Sequence, residues 1–455
     1  MIKLDTLYKC KVIMGETYMM ANILKFFNIP DTATTFGQVL LIINAIIFII
    51  VSLFYLSQNF FSILGLLCRP KRFKKSDKIN KFGFIICAHD EEGVLKNLID
   101  SINKQDYPED AMEIFVVCDN CTDRTKEIAL ENGCHVIERN NLEKIGKCYA
   151  LDYASKIILD KYEYLNIDAF MVFDADNLLD VNYTKCMNDS YNANVKVCTS
   201  FRNSKNFAQN ITSAASGMMF LRECQIIHKG RSIMNIGTYI SGTGFMIRKD
   251  VLRDLNGWPF ETLIEDIEFS IYCANNGIKI GYCPDAIFYD EQPTTLKDYF
   301  IQRLRWCKGN HQCHFKYSWS LFKNIFKRRS LACAEMFIHV STLPALLFLW
   351  ILAFTGLLGV NALIYDLSFT EFLQSGLKEV LKYFAFGLGM SFVHGVVAMI
   401  RTNKKVKCNF FKRIIYCLVF PIYMMILLFT SVLALFVKVS WKKTPHNCDI
   451  AIDEI

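Results

Sequence analysis

Four long apolar runs constrain the fold of this chain more than any other feature. One run, Phe36–Leu56, lies near the amino terminus, and three lie after residue 336, at Phe337–Ile364, Tyr383–Ile400 and Ile414–Val437. Each is long enough to cross the apolar core of a bilayer, which takes about 20 helical residues. The stretch between the first two runs is rich in charge. The sequence therefore predicts a soluble domain inserted between transmembrane helices.

Basic residues cluster beside these runs, at residues 69–75 and 401–413. Lysine and arginine accumulate on the cytoplasmic flanks of membrane helices. This rule places the domain after the first run, and the loop between the last two runs, in the cytoplasm. No nucleic-acid-binding motif accompanies the clusters, so no nucleic-acid partner is predicted.

The side of the membrane on which the carboxyl-terminal tail lies stays open. Counting three crossings after the soluble stretch leaves residues 438–455 outside, whereas Lys438, Lys442 and Lys443 favour the cytoplasm. A break of the last run at Pro421, or a further crossing within the first 35 residues, would remove the conflict.

Composition divides the chain into five predicted segments. They are residues 1–67 with one transmembrane helix, 68–312 as a cytoplasmic domain, 313–335 as an interfacial amphipathic helix, 336–437 with three transmembrane helices, and the tail 438–455. The stretch 317–329 is aromatic and basic, which suits a helix at the membrane surface. The 18 cysteines are scattered, which favours free thiols in a reducing compartment.

Short apolar strands alternate with helices from Phe82 onward. The predicted strands are 82–88, 112–118, 135–138 and 169–173. Such alternation predicts a parallel sheet with helices on both faces, and ligands bind such sheets at the carboxyl ends of the strands. Polar residues follow three of these strands: His89–Glu91, Asp119, and Asp174 with Asp176. This edge of the sheet is therefore the candidate site.

The pair Asp174 and Asp176 ends an apolar strand. Two carboxylates one residue apart can bind a divalent cation, which would neutralise a diphosphate leaving group. The alternative is a solvated turn. Asp119 likewise has two interpretations, as a nucleotide contact or as a helix N-cap, although Thr122 could supply the cap.

Asp266 begins a predicted helix, where a carboxylate can either cap the helix or act as a general base. Gln302, Arg305 and Trp306 share one face of another predicted helix. Arginine offers a planar fork for phosphate oxygens, and tryptophan offers a flat surface for a sugar ring. The alternative for this face is an amphipathic interface helix with a tryptophan anchor.

These residues, in this order, resemble a known signature. Asp119, Asp174-Ala175-Asp176, Asp266 and Gln302-Arg303-Leu304-Arg305-Trp306, with Gln302 standing 36 positions after Asp266, are similar to the D, D, D, Q(Q/R)xRW motif of membrane-bound family 2 glycosyltransferases. That family includes cellulose, hyaluronan and poly-N-acetylglucosamine synthases. The resemblance implies an α/β, Rossmann-like GT-A-type domain between membrane helices. It further implies inverting, processive transfer from UDP-glucose or UDP-N-acetylglucosamine to a β-linked polysaccharide.

The resemblance also implies a role for each matching residue. The donor and nucleotide contacts are His89, Glu91, Asp119, Lys147, Asp174, Arg303 and Arg305. Asp176 is the ligand of Mg²⁺ or Mn²⁺, and Asp266 is the catalytic base. The acceptor contacts are Gly242, Thr243, Gly244, Glu265, Gln302 and Trp306. The loop Ser241–Gly244 can equally be a plain tight turn. Tail residues 440–446 resemble a segment that gates the donor site in some of these synthases.

The expected partners are a UDP-sugar, a growing glycan or lipid acceptor, and membrane lipids. Four spans are few for an export channel, which suggests a homodimer or an accessory export subunit. One alternative is a non-processive enzyme that adds one or a few sugars to a lipid. Another is a transporter or scaffold with an inactive domain, although no paired repeats of spans are visible. His339 and His394 could pair across membrane helices or line a sugar channel.

Overall fold

The structure, a computed structural model, describes residues 35–54, 56–372, 378–440 and 448–455. Residues 1–34 and 441–447 lie outside this description, and the latter include most of the predicted gating segment, 440–446. The described chain forms two compact units. One comprises the described residues up to 57 together with 343–389, and the other comprises 58–342 and 390–455.

The helices and strands are numbered here in chain order. The described helices are α1 Thr35–Phe54, α2 Leu56–Leu67, α3 Leu95–Asn103, α4 Thr125–Glu131, α5 Lys147–Lys161, α6 Tyr183–Asn192, α7 Ile211–Arg222, α8 Lys229–Ile233, α9 Lys249–Asp254, α10 Glu265–Asn276, α11 Leu296–Lys327, α12 Leu331–His339, α13 Leu343–Ile364, α14 Phe369–Phe372, α15 Lys378–Arg401 and α16 Phe410–Phe436. A π-helical segment, Glu223–His228, joins α7 to α8. The strands are β1 Phe82–Ala88, β2 Met112–Asp119, β3 His135–Arg139, β4 Ala169–Asp174, β5 Leu178–Leu179, β6 Val197–Ser204, β7 Phe245–Arg248 and β8 Ile280–Asp290.

The larger unit is built on one eight-stranded sheet in the order β3-β2-β1-β4-β7-β6-β8-β5. Strands β3, β2, β1 and β4 are parallel, as the sequence predicts. The prediction of a wholly parallel sheet is wrong beyond β4, because β7 runs antiparallel to both of its neighbours. The chain enters β7 from the loop Ser241–Gly244, and the amide of Gly244 donates to Val172 O at 2.9 Å. The reversal brings this loop to the carboxyl end of β4.

Helices cover both faces of this sheet. Phe84 and Ile86 of β1 pack on one face with Leu98 of α3, while Ile85 packs on the other face with Ala154 of α5. A strand buried on both faces needs apolar residues at successive positions, which explains the continuous apolar run of β1. Each fully buried side chain of this size contributes about 1.5–3 kcal/mol. The packing holds the strand ends, and hence the polar residues after them, in fixed positions.

The boundary predicted at residue 312 falls inside a single helix. α11 runs without a break from Leu296 to Lys327. Its second half exposes Phe315, Trp319 and Phe326 by 76%, 76% and 68%, which agrees with the predicted amphipathic character. The next helix, α12, ends at His339. The prediction that His339 lies inside a membrane span is therefore wrong, since the long apolar helix α13 begins only at Leu343.

Four described helices are long and apolar enough to cross a membrane: α1, α13, the part of α15 from Val380, and α16. They correspond to the four predicted runs. In the smaller unit, Asn44 of α1 is buried and accepts hydrogen bonds from Trp350 Nε1 at 3.1 Å and Tyr383 OH at 3.0 Å. A buried polar side chain needs such partners, particularly in an apolar environment.

The carboxyl-terminal residues lie against the soluble domain. The amide of Cys448 donates to Glu291 Oε1 at 3.1 Å, and Lys205 Nζ donates to Cys448 O at 2.8 Å. Further along, Asn97 Nδ2 donates to Asp449 Oδ1 at 2.6 Å. These contacts agree with a tail on the same side of the membrane as the soluble domain, which the tail lysines also indicate. They disagree with the opposite side, which counting the crossings gives.

Candidate active site

A cavity of about 550 Å³ lies at the carboxyl edge of the parallel strands. Most of the predicted site residues line it: His89, Glu91, Asp119, Lys147, Asp174, Asp176, Gly242, Glu265, Asp266, Gln302, Arg305 and Trp306. They come from strand ends, from the loop before β7, and from the helices α10 and α11. Residues more than 200 positions apart in the chain therefore converge on one cavity.

Asp119, the last residue of β2, occupies one end of the cavity. Arg139 Nη1 donates to its Oδ1 at 2.5 Å, and His89 Nδ1 lies 2.6 Å from its carbonyl oxygen. Burial raises the pKa of Asp119, and the Arg139 guanidinium opposes that rise. Asn120, which follows, has φ of 52°, so the chain turns sharply after the strand. The carboxylate is thus held in a fixed position for a hydrogen-bond donor of a ligand.

Asp174 is the last residue of β4, and Asp176 follows it two positions later. Lys147 Nζ forms an ion pair with Asp174 and also donates to Gly242 O at 2.7 Å. Asp176 is buried and accepts from the amide of Glu291 at 3.1 Å and from Asn177 Nδ2 at 3.2 Å. Carboxylate oxygens are the ligands that Mg²⁺ and Mn²⁺ prefer, so this pair fits the predicted metal.

A second group of ligand-type atoms, from Asp90, Cys121 and Asp123, lies within 4.8 Å. Its geometry follows from the loop itself, because Asp90 Oδ1 accepts from the amides of Thr122 at 2.6 Å and Asp123 at 3.3 Å. These hydrogen bonds lower the pKa of Asp90 against the opposing effect of burial. The group thus fixes the loop at the end of the cavity where Asp119 lies.

Glu265 and Asp266 form the first turn of α10. The N-cap position is Ile264, so Asp266 is the second residue of the helix rather than its N-cap, and its carboxylate interacts with the amide of Ile267 in the first turn. Burial raises the pKa of Asp266, and the charges of Lys147 and Arg305 oppose that rise. A Cβ placed on Gly242 would lie 3.5 Å from Asp266 Oδ2. The loop before β7 thus approaches this carboxylate closely, and the φ of 80° at Gly242, rather than a lack of space, favours glycine there.

Helix α11 presents Gln302, Arg305 and Trp306 to the cavity, as the helical spacing predicts. Arg305 Nη1 donates to Leu263 O at 3.2 Å, which ties the helix to the loop before α10. The Trp306 ring meets Phe220 edge to face, with centroids 5.9 Å apart. Trp306 thus lies in the cavity wall, and its contact with Phe220 holds the ring in place.

Three predicted site residues lie elsewhere. Arg303 is fully buried, stacks 4.0 Å from the Trp306 ring and donates to Ser216 Oγ at 2.7 Å, so it does not reach a diphosphate in the cavity. Thr243 is turned inward, towards Asn177 and the amide of Asp174. Gly244 packs under Phe288, where a Cβ would lie 2.2 Å from the ring. These three residues therefore pack against residues of the cavity wall instead of lining the cavity themselves.

The sequence interpretation missed several cavity residues. Arg202 and Asp290 form a buried ion pair between β6 and β8, with Nε and Oδ2 2.7 Å apart, and Arg202 Nη1 also donates to Ser241 O at 2.8 Å. Glu223, at the start of the π-helical segment, also lines the cavity. No local signal marks these residues, because each becomes a cavity residue only through long-range packing. Arg139 also went unpredicted; it ends β3 and donates to Asp119 from the neighbouring strand.

Comparison with known proteins identifies the family. A family model described as glycosyltransferase like family 2 matches residues 80–309, which is half of the chain and contains nearly the whole cavity wall. This protein is a family 2 glycosyltransferase. It is therefore a hexosyltransferase with a GT-A-type catalytic domain, and its apolar helices at both ends identify it as a membrane protein.

Similar proteins include probable glycosyltransferase YdaM of Bacillus subtilis (strain 168). It is 30% identical over 356 residues, which cover 75% of this chain and 80% of YdaM. A poly-beta-1,6-N-acetyl-D-glucosamine synthase of Staphylococcus epidermidis is 26% identical over 251 residues, 54% of this chain and 58% of that synthase. The mannosyltransferase PcManGT of Pyrobaculum calidifontis, solved with GDP-mannose and Mn²⁺, matches with a TM-score of 0.49 at 14% identity, over 86% of this chain and 98% of that one.

Proposed function

We propose that this glycosyltransferase is inverting and metal-dependent, and that it builds a β-linked polysaccharide from a UDP-sugar at the cytoplasmic face of the membrane. One observation carries the proposal: Asp119, Asp176 and Asp266 line the same cavity as Trp306. A nucleotide contact, a metal ligand, a base and a sugar platform are the groups that such a transfer requires.

In the proposed reaction Asp266 takes the proton of an acceptor hydroxyl. The hydroxyl oxygen forms a bond with the anomeric carbon of the donor sugar, and the bond from that carbon to the diphosphate breaks, so that UDP leaves. A single displacement converts an α-linked donor into a β-linked product. A divalent cation held by Asp176 and Asp174 would neutralise the diphosphate as it leaves. Arg305 offers a second positive charge to the same group.

Lys147 has a distinct part in this scheme. Lys147 pairs with Asp174 and donates to the carbonyl of Gly242. A cation at Asp174 would repel the ammonium group, which would leave it free to turn towards the diphosphate. Lys147 would then couple the donor end of the cavity to the loop that approaches Asp266.

The similar synthases named for poly-β-1,6-N-acetyl-D-glucosamine favour UDP-N-acetylglucosamine as the donor, with UDP-glucose as the other candidate. A polymer fits the membrane helices at both ends of the catalytic domain, and a second copy or an export subunit would complete a path for it. A non-processive enzyme would instead leave a short glycolipid.

Membranes containing the protein, incubated with a panel of labelled UDP-sugars and Mg²⁺ or Mn²⁺, test the proposal. We expect UDP release and a high-molecular-weight product with one sugar of the panel, and its digestion by linkage-specific glycosidases identifies the bond. A product that is wholly short and extractable into organic solvent would contradict the polymer. A lack of UDP release with every sugar would contradict the donor class.

The pH dependence of transfer should follow the carboxyl pair of α10. Asp266 acts as a base only when it is deprotonated, and burial raises its pKa. We therefore expect activity to be lost on the acid side, with a midpoint above the ordinary aspartate pKa of about 3.9. Burial first, and then the charge of Asp266, raises the pKa of Glu265, and this interaction is reciprocal.

Because burial and the charge of Asp266 raise the pKa of Glu265 to about 7, Glu265 is protonated before Asp266 as the pH falls. Glu265→Gln mimics this neutral side chain and should therefore leave the acid limb of the pH profile in place. The measurement is the initial rate against pH at saturating UDP-sugar. An acid limb that moves to lower pH would show that Glu265 is still charged where the base titrates.

The carboxyl terminus should lie on the same side of the membrane as the catalytic domain, because Cys448 contacts Glu291 and Asp449 contacts Asn97. An epitope tag after Ile455 should be protected from protease in intact cells and digested after permeabilisation. A tag after Asp366, in the loop predicted to lie outside, serves as the control and should be digested in intact cells. Digestion of both tags in intact cells would refute this topology.

A further inference from the structure

The acceptor side of the cavity contains a carboxylate that the proposed chemistry does not use. Helix α7 continues through the π-helical segment into α8, and this segment begins at Glu223. Wide π turns inside helices occur frequently at functional sites. Phe220, Glu223 and Ile227 lie along the cavity wall formed by this helix. Glu223 therefore faces the same space as Asp266 and Trp306.

Within the described chain, the carboxylate of Glu223 makes no hydrogen bond or ion pair, although three arginines surround it. Each arginine is engaged elsewhere: Arg202 with Asp290, Arg222 with Gln58 at 2.7 Å, and Arg303 with Ser216 at 2.7 Å. Burial raises the pKa of Glu223 to about 7 against the attraction of these arginines, and the charge of Asp266 adds to the rise. The carboxyl oxygens thus face the cavity without a protein donor.

The adjoining wall, formed by α11, also contains buried acceptors without donors. Helix α11 places Gln302, Trp306 and Asn310 on one face at intervals of four residues, and all three line the cavity. Gln302 Oε1 and Asn310 Oδ1 are buried, and no described residue donates to them. Buried acceptors without donors are unfavourable and rare in native structures. A ligand rich in hydroxyl groups would supply the missing donors from between the two walls.

We propose that Glu223 is a specificity-determining residue that accepts hydrogen bonds from the hydroxyl groups of the acceptor sugar, in the same cavity as Gln302 and Asn310. This inference rests on the proposed function and specifies its acceptor as a glycan rich in hydroxyl groups. An acyl chain offers no donors to these atoms. The ring of Trp306 lies between the two amides and provides the surface on which the sugar stacks.

Kinetics of the full-length protein in nanodiscs test the proposal with Glu223→Gln, which keeps the size of the side chain and removes its charge. The acceptors are pentasaccharides of β-1,4-linked glucose, β-1,4-linked N-acetylglucosamine and β-1,6-linked N-acetylglucosamine. We expect the KM for the accepted pentasaccharide to rise about tenfold or more, as for loss of a hydrogen bond to a charged group. The KM for the UDP-sugar should change by less than about twofold, and a larger share of UDP should come from hydrolysis by water.

Glu113→Gln is the matched control, because Glu113 is a partly buried carboxylate of β2 that pairs with Lys81 and His135 outside the cavity. It should leave both KM values and the hydrolysed share unchanged. A general loss of stability would lower kcat in either variant without separating the two KM values. An unchanged KM for the pentasaccharide in Glu223→Gln overturns the inference.

Direct binding distinguishes this inference from the proposed function. Binding of each pentasaccharide to the full-length protein is followed by saturation-transfer NMR, without a donor. Wild type should bind one of them, and Glu223→Gln should weaken that binding by about tenfold. If wild type binds a pentasaccharide but releases no UDP from any UDP-sugar, the proposed function fails and the acceptor site stands. If no pentasaccharide binds, or if both proteins bind equally, the acceptor site is refuted.

Asn310→Ala provides a second variant, from the adjoining wall formed by α11, should Glu223→Gln fail to fold. It is expected to raise the KM for the pentasaccharide while the KM for the UDP-sugar stays constant. A parallel change of both KM values in this variant would show that the two walls do not form one acceptor site.

Discussion

Asp266→Asn is expected to reduce sugar transfer by roughly a thousandfold, because it removes the carboxylate proposed to take the proton of the acceptor hydroxyl. That loss corresponds to about 4 kcal/mol of transition-state stabilisation. Asparagine has nearly the same volume and keeps the first turn of α10 intact. The KM for the UDP-sugar should change little, since Asp119, Asp176 and Arg305 still bind the donor. The measurement is transfer and UDP release by purified protein at saturating donor.

Asp250→Asn is the matched control for this substitution. Asp250 also lies in the first turn of a helix, α9, but it is exposed and outside the cavity, with ion-pair distances of 3.5 Å to Lys196 and Arg248. Its replacement should leave transfer unchanged. Retention of more than about a tenth of the wild-type rate by Asp266→Asn would remove this residue from the role of base.

The strands that carry the donor end could be predicted from the sequence because they are buried on both faces. Such strands appear as unbroken apolar runs, and the predicted β1, Phe82–Ala88, has the observed bounds. The polar residues after these runs lie at one edge by topology alone. The positions of Asp119 and Asp174 relative to the sheet therefore required no knowledge of tertiary contacts.

Strands β6 and β8 escaped prediction for the opposite reason. Each contains a charge, Arg202 in β6 and Asp290 in β8, and buried charges are unfavourable unless they are paired. The two residues pair with each other across 88 positions of sequence. A local pattern cannot show that a charge finds its partner so far along the chain. Glu223 and the other cavity residues of the helix from α7 to α8 likewise reach the cavity only through long-range packing.

The assignment of Arg303 to the donor shows where family resemblance outweighed geometry. Successive residues on a helix point about 100° apart, so a face that contains Gln302, Arg305 and Trp306 turns Arg303 away. The structure places Arg303 under the Trp306 ring, where it fixes the tryptophan by stacking at 4.0 Å. Helical periodicity alone would have assigned it this supporting position.

Asp176→Asn should abolish metal-dependent transfer, with a loss of roughly a thousandfold, because it replaces the buried carboxylate that the cation needs. Removal of divalent cations by a chelator should inactivate the wild type equally, and Mg²⁺ or Mn²⁺ should restore it. Restoration should fail in Asp176→Asn. Asp254→Asn, an exposed position on α9, serves as the control and should respond to metal as the wild type does.

Binding measurements separate loss of the metal from loss of the fold. Mn²⁺ binding in the presence of UDP, followed by electron paramagnetic resonance, should be lost in Asp176→Asn. The thermal unfolding midpoint without ligands should fall only modestly, because Asn177 Nδ2 donates to Oδ1 of Asp176 and the amide of Glu291 donates to Oδ2, and the single amide oxygen of asparagine can keep one of these two hydrogen bonds. Stabilisation by Mn²⁺ with UDP should then be confined to the wild type, since a ligand that binds only the folded state raises its stability. Full activity of the wild type after complete chelation would refute the metal-dependent mechanism while leaving the role of Asp266 intact.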